Sequence, residues 1–319
     1  MRHLIRKAVR VVGGTCFGAV RDMVLARGLT VFVYHDVSDS PSFFSRRYGL
    51  NVSPATFAKQ VEFIQAHFNL LSPDDLLQGR CPDRSAMVTF DDGFHSVFGH
   101  AVAILRRRDI PATIFLNMAA VRGGVLWAAL VTWLCERADF CSFCASNGLV
   151  FTEAAPAFLQ CNRSLVDKYL ASVDRDSVLA EVRNFQGAFA AEADLRAADG
   201  PGIFYGSHLY DHEVPMLMTD KDFAESYRMN DEALAAYSSY RAIWSVPFGQ
   251  PGSCFQPRHL DMARQLGAQL AFSSSGGICF DRSRAPLDRV EVGEREYTAS
   301  QMNYALLRAA MHGRRHGRG

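Results

Sequence analysis

The chain has 319 residues, 49% of them hydrophobic and 21% charged, with a formal net charge of +1. That composition excludes a disordered chain and is enough to bury one large core. Without a concentrated basic face there is no nucleic-acid partner to propose.

Residues 1–28 form a basic amphipathic N-terminal segment. Arg2, Arg6, Lys7 and Arg10 precede an apolar stretch over 11–20, while Leu4, Ile5, Val9 and Val12 fall near one helical face. The stretch is too short to span a bilayer and lacks a small-x-small cleavage site. It reads as a helix packed on the domain or lying peripherally on the inner face of the membrane. Eight cysteines are scattered along a chain too large to need staples, so they read as reduced and the compartment as cytoplasmic. Cys141 and Cys144, with Cys135 and Cys161 nearby, have a spacing too irregular for a zinc site and read as buried small hydrophobes.

Residues 30–34 form a short β-rich run ending at His35-Asp36. Ser53-Pro54 and Ser72-Pro73 are helix starts, a capping serine followed by a proline that suits the first turn. A strand over 86–90, a helix over about 94–107 and a strand over 112–116 make a βαβ unit, which implies a parallel sheet. Residues of about 117–200 break this rhythm with helical periodicity and read as an insertion forming one wall of a site. Trp127 in that stretch reads as core rather than as a sugar-stacking ring. Strand and helix alternate again from residue 202, through strands near 202–205, 242–246, 269–273 and 290–292. The alternation over 29–293 indicates a distorted (β/α)7-type barrel, with a C-terminal helix and a basic tail over 294–319 that is disordered from His312.

Two motifs carry the chemistry. Thr89-Phe90-Asp91-Asp92-Gly93 places two adjacent carboxylates at the carboxyl end of a strand, where barrels build active sites. Successive strand residues point to opposite sides, so the two acids divide labour, one binding a cation and the other handling a proton. Ser207-His208-Leu209-Tyr210-Asp211-His212 sets two histidines four apart, able to share one metal on a helical turn or a tight loop. Two imidazoles and one carboxylate leave a coordination position for water, which is the pattern of a metal hydrolase.

These two segments, in this order, resemble the first two motifs of the polysaccharide deacetylase family, also called NodB-homology or carbohydrate esterase family 4. Pro247-Phe248-Gly249 resembles the third, and Val33-Tyr34-His35-Asp36-Val37 is similar to the Tyr-His-x-Val segment of the branch containing poly-N-acetylglucosamine deacetylases. The resemblance implies an α/β barrel of the NodB kind with a helical insertion. It implies that Asp92, His208 and His212 hold a divalent metal, zinc for two imidazoles, with cobalt, nickel or iron also accommodated. Asp91 would be the general base, and Trp244, Pro247, Phe248 and Gly249 would meet an N-acetylated carbohydrate substrate. The oxyanion would rest on the metal and on a backbone amide just after Asp91 or Asp92.

The chain departs from the family twice. The C-terminal region that usually supplies a histidine acid reads Pro286-Leu287-Asp288-Arg289-Val290, so His35 is the candidate acid and His95 its weaker rival. The third motif often begins with an arginine that orients the base; here that position is Ser245, Arg241 is out of register, and Arg289 is the candidate replacement. The leading reading is removal of an N-acetyl group from an amino sugar in a glycan, glycolipid or sugar intermediate. An amidase of the same fold acting on a formamido sugar or cyclic ureide, and a non-catalytic carbohydrate-binding relic, are the alternatives.

Overall fold

In the computed structural model, which describes Leu25, residues 28–281 and residues 285–316, seven parallel strands curl into a nearly closed barrel. They are β1 (Leu29–Tyr34), β2 (Ser85–Phe90), β3 (Ala112–Leu116), β4 (Ile203–Ser207), β5 (Tyr240–Ser245), β6 (Leu270–Phe272) and β7 (Arg289–Glu291). The strand order β7-β1-β2-β3-β4-β5-β6 follows the chain apart from β7, and a bridge from Phe272 to Leu287 draws the two edges together. All seven strands lie where the sequence alternation places them, and the βαβ unit over β2 and β3 is parallel.

Side-chain alternation along the strands divides the apolar residues into two layers. Val31, Met87, Phe115, Ile243 and Phe272 fill the barrel interior, whereas Phe32, Val88, Phe90, Ile114 and Trp244 join the larger core under the helices. Trp244, expected at the substrate, is therefore a core residue: it is fully buried against Phe223 and Tyr227, because its position on β5 is the outward one.

The two predicted serine-proline helix starts form as read, and a threonine cap joins them further on. Ser53 Oγ accepts from Thr56 N ahead of Pro54–His67, Ser72 and Asp75 cap each other ahead of Pro73–Leu77, and Thr219 caps Asp220–Leu234. The helix expected over 94–107 begins with a π-type run, Val97–Ala101, before Val102–Arg106. Between β3 and β4 the chain is helical as expected, including Trp127–Leu134, Ala138–Ser146, Arg163–Leu170 and Arg175–Gln186. Trp127 is core, its indole N–H donating to the Phe158 carbonyl at 3.0 Å. Burial pushes the Cys135 and Cys161 thiols up to about 12, which suits apolar packing rather than thiolate chemistry.

The final helix, Ala299–His316, continues past His312, where the sequence reading placed disorder; Met302, Leu306, Ala309 and Ala310 bury its apolar stripe. The N-terminal segment before Leu25, and residues 317–319, lie outside the described residues. Among the described residues no helix is long and apolar enough to cross a membrane.

One buried amide locks the ends of β3 and β4 to the helix over them. Asn230 donates to the Leu116 carbonyl at 2.8 Å and to Ser207 Oγ at 2.9 Å, and accepts from Met118 N at 2.9 Å. Removing it strands these partners in the core, at a cost of about 2–4 kcal/mol. Asn230→Ala is expected to lower the unfolding free energy by that amount in a denaturant titration; a loss under ~0.5 kcal/mol would contradict this role.

Candidate metal centre

The carboxyl ends of β2, β4, β5 and β7 meet at one mouth of the barrel. Asp91 follows β2 directly, in step with the inward residues Met87 and Thr89. Strand alternation would send Asp92 the other way, but its φ of +69° turns the chain and brings both carboxylates into one site. Gly93, at φ +81°, continues the turn where a Cβ would stand 2.7 Å from the Leu116 side chain.

The histidine motif is a tight loop and not a helical turn, with Leu209 at φ +60° and His212 at φ +65°. Such backbone persists only where surrounding contacts dictate it, and here the insertion supplies them. Asn117, just past β3, donates to the carbonyls of His208 and Leu209; Ala119 N donates to Tyr210 O, and Trp127 N to Asp211 O. Arg163 then pairs with both Asp211 and Glu213 on either side of His212. The insertion is thus a clamp on the histidine loop as well as a wall.

Within this frame Asp92, His208 and His212 present ligand atoms that all lie within 4.8 Å of one another. His212 Nε2 is 3.3 Å from Asp92 Oδ1 and 3.1 Å from His208 Nε2, and His208 Nε2 is 3.6 Å from Asp92 Oδ1. His208 Nδ1 lies 2.8 Å from the Ser245 carbonyl, which accepts an Nδ1–H and leaves Nε2 turned toward the cluster. Burial, reinforced by His208, lowers the His212 pKa well below the usual histidine value, so this ring is neutral and Nε2 is a lone pair in the tautomer that carries its proton on Nδ1. Burial raises the Asp92 pKa, and Asp92 Oδ1 has no hydrogen-bond partner. A buried carboxylate oxygen without a hydrogen-bond partner, with two imidazole nitrogens converging on it, is a donor set that fits a divalent cation.

Asp91 lives in a different field. Arg289 grips it with two prongs, Nη1 to Oδ1 at 2.7 Å and Nη2 to Oδ2 at 2.6 Å. The guanidinium is fully buried over the Phe115 ring, and it also donates from Nε to the Ser273 carbonyl and from Nη2 to Ser274 Oγ. Burial by itself would raise the Asp91 pKa; the Arg289 charge and its hydrogen bonds, helped by His208, outweigh that and hold the carboxyl far below the usual range. Arg289 therefore takes the place of the missing third-motif arginine. Ser245, at that motif position, is only 3.5 Å from Asp91 Oδ2 through its hydroxyl.

The remaining candidates separate cleanly. His35 lines the same cavity, with Nε2 4.0 Å from Asp91 Oδ2. His95 does not line it: its ring is half exposed and pairs with Asp194 at 3.2 Å. Arg241 is paired with Asp74, as its position upstream of the motif implied. Phe248 lines the cavity at φ +62°, its ring 4.5 Å from that of His212. Pro247 and Gly249 do not line it; Gly249 lets the chain pass where a Cβ would lie 2.4 Å from Ser274 N. Of the two backbone amides considered for an oxyanion, that of Gly93 is engaged with the Asp91 carbonyl at 2.8 Å, which leaves that of Asp92. Asn117 and Arg163 went unnoticed in the sequence; a polar residue ending an apolar strand was a usable signal for the first, and nothing marked the second.

Residues 78–141, which include the paired carboxylates, match the polysaccharide deacetylase family model. No curated protein matches the chain in sequence. The fold is that of the NodB deacetylases. The structure of Streptococcus pyogenes deacetylase PplD in complex with acetate aligns over 89% of this chain and 98% of its own, at 15% identity and a TM-score of 0.55. IcaB from Ammonifex degensii aligns over 88% and 97%, at 20% identity and 0.55. A de-N-acetylase from Aggregatibacter actinomycetemcomitans aligns over 87% and 99%, at 15% identity and 0.54.

The Arg289 grip has a consequence in pH. With the Asp91 pKa depressed, the carboxylate stays charged throughout the neutral and mildly acidic range. Without Arg289 burial dominates, so the pKa rises and the proton returns at higher pH. In Arg289→Gln the acidic limb of kcat/KM is expected to move upward by at least about one pH unit, and in Arg289→Lys by less. An acidic limb unchanged in both variants would contradict the assignment.

Proposed function

We propose that this chain is a metal-dependent carbohydrate N-deacetylase of the polysaccharide deacetylase family, cleaving the acetamide of an N-acetylated amino sugar to acetate and a free amine. The observation that carries this reading is the meeting, in one cavity, of a three-ligand cluster with an arginine-held carboxylate. The match over residues 78–141 and the NodB fold support it.

Asp92, His208 and His212 would hold the ion, and two imidazoles with one carboxylate favour zinc. A divalent cation there supplies Lewis-acid polarisation of the amide carbonyl and lowers the pKa of water toward ~7. Asp91, kept ionised and aimed by Arg289, takes a proton from water as its oxygen attacks the carbonyl carbon. The Asp92 amide is placed to receive charge that develops on the carbonyl oxygen. When the C–N bond breaks the amine needs a proton, and His35 is the donor, standing beside Asp91 on the accessible side of the cavity. A binding relic would need no arginine-fixed base next to its metal ligands.

Acetate release from the zinc-loaded chain, measured on N-acetylglucosamine derivatives, tests this reading. Asp91→Asn is expected to keep metal content and lower kcat by at least about 10³-fold, while His35→Ala lowers it by about 10²–10⁴-fold. Full activity in Asp91→Asn would remove the base and the mechanism with it. Activity of His35→Ala within a few-fold of the parent would remove His35 as the acid.

A further inference from the structure

The cavity around these groups is about 510 Å³, and its two sides differ in chemistry. One side is polar, with His35, Gln250, Ser274, Ser275 and Glu291 beside the carboxylates. The other is carbon: Phe44, Tyr48, Leu50, Phe158, Leu159 and Phe248. Phe158 comes from the insertion and Phe248 from the loop after β5, and their rings stack at 4.8 Å and 16°. Phe44 and Tyr48 come from the helix Phe43–Tyr48 and pack edge to face at 5.2 Å.

The polar atoms on this side are already engaged. The Tyr48 hydroxyl pairs with Thr132 Oγ1 at 2.9 Å, so the ring is what Tyr48 offers the cavity. A second sugar placed here would lose water from its hydroxyls and find no partner for them, whereas an aliphatic chain loses nothing and gains burial. The acetyl methyl needs only a small part of so much apolar surface. The same helix also presents Phe43, 69% exposed, with the Arg46 guanidinium 5.1 Å from its ring, while Arg47 beside it pairs with Glu136. An exposed aromatic beside a cation suits contact with an anionic amphiphile.

Resting on the deacetylase reading, we infer that the substrate is an amino sugar carrying an aliphatic chain at its anomeric position. Its sugar lies against the polar side and its chain along Phe44, Tyr48, Leu50, Phe158, Leu159 and Phe248. The site thus selects a glycolipid-like intermediate over an extended hydrophilic glycan.

The test compares the octyl and methyl glycosides of N-acetylglucosamine and the unmodified N-acetylglucosamine tetramer, by acetate release and by calorimetry with the zinc-loaded chain. The octyl glycoside, kept below its micelle concentration, is expected to exceed the methyl glycoside by at least about tenfold in kcat/KM and in affinity, and to exceed the tetramer. Leu159→Gln, a near-isosteric change at a half-buried position, is expected to shrink the octyl-to-methyl ratio several-fold. Equal rates and affinities for octyl and methyl, or preference for the tetramer, would overturn the chain subsite while leaving the deacetylase reading intact. Tighter octyl binding that depends on Leu159, without acetate release from any substrate, would uphold the subsite and defeat the deacetylase reading. A hexadecyl glycoside held in phosphatidylglycerol vesicles separates the two sources of such a chain. Turnover there that falls in Phe43→Ser assigns it to a membrane lipid, and turnover of the dissolved octyl glycoside alone assigns it to a soluble amphiphile.

Discussion

Asp92 Oδ1 is buried at the mouth of the barrel without a hydrogen-bond partner, facing the Nε2 atoms of two histidines. Burying a carboxylate without compensation costs several kcal/mol. Protonating His212 would relieve the carboxylate, but burial opposes a charge on that ring. Protonating Asp92 relieves its charge and makes it a donor, but to one imidazole at a time. A divalent cation satisfies all three at once, and the rest of the site follows from that constraint.

The two adjacent acids differ because their backbones and partners differ. Asp91 keeps the inward direction of its strand and meets Arg289 rising from β7; Asp92 reaches the same cavity only through a left-handed turn and meets no arginine. One is thereby a fixed, ionised carboxylate and the other an unpaired one open to a cation. Exchanging the two environments would abolish the division, since an arginine beside Asp92 would fill the position open to a cation. The insertion also belongs to this design: Asn117, Ala119, Trp127 and Arg163 hold the loop that carries His208 and His212.

The barrel was legible in the sequence because its signals are local: apolar runs of strand length, serine-proline helix starts and the regular alternation between them. The metal cluster was legible for the same reason, each half being a short contiguous motif. The Asp91–Arg289 pair was within reach because the third motif lacked its arginine and the chain's end offered one, although no local pattern says that two residues so distant will touch. Trp244 was misplaced because motif proximity was allowed to outweigh strand parity: it sits one residue from the site-facing Ser245, on the outward face of β5. The clamp by Arg163 carried no local signal, since its partners flank His212 far along the chain. The C-terminal helix runs past the point of expected disorder because packing continues beyond its buried stripe, with Gly313 close against Ile278.

Zinc titration of the chelator-treated chain by calorimetry tests the central claim most directly. One equivalent is expected to bind, with affinity reduced by at least about 10²-fold in His208→Ala and in Asp92→Ala, each shown to be folded by circular dichroism. Undiminished zinc binding in both variants, or no binding by the parent chain, would contradict it.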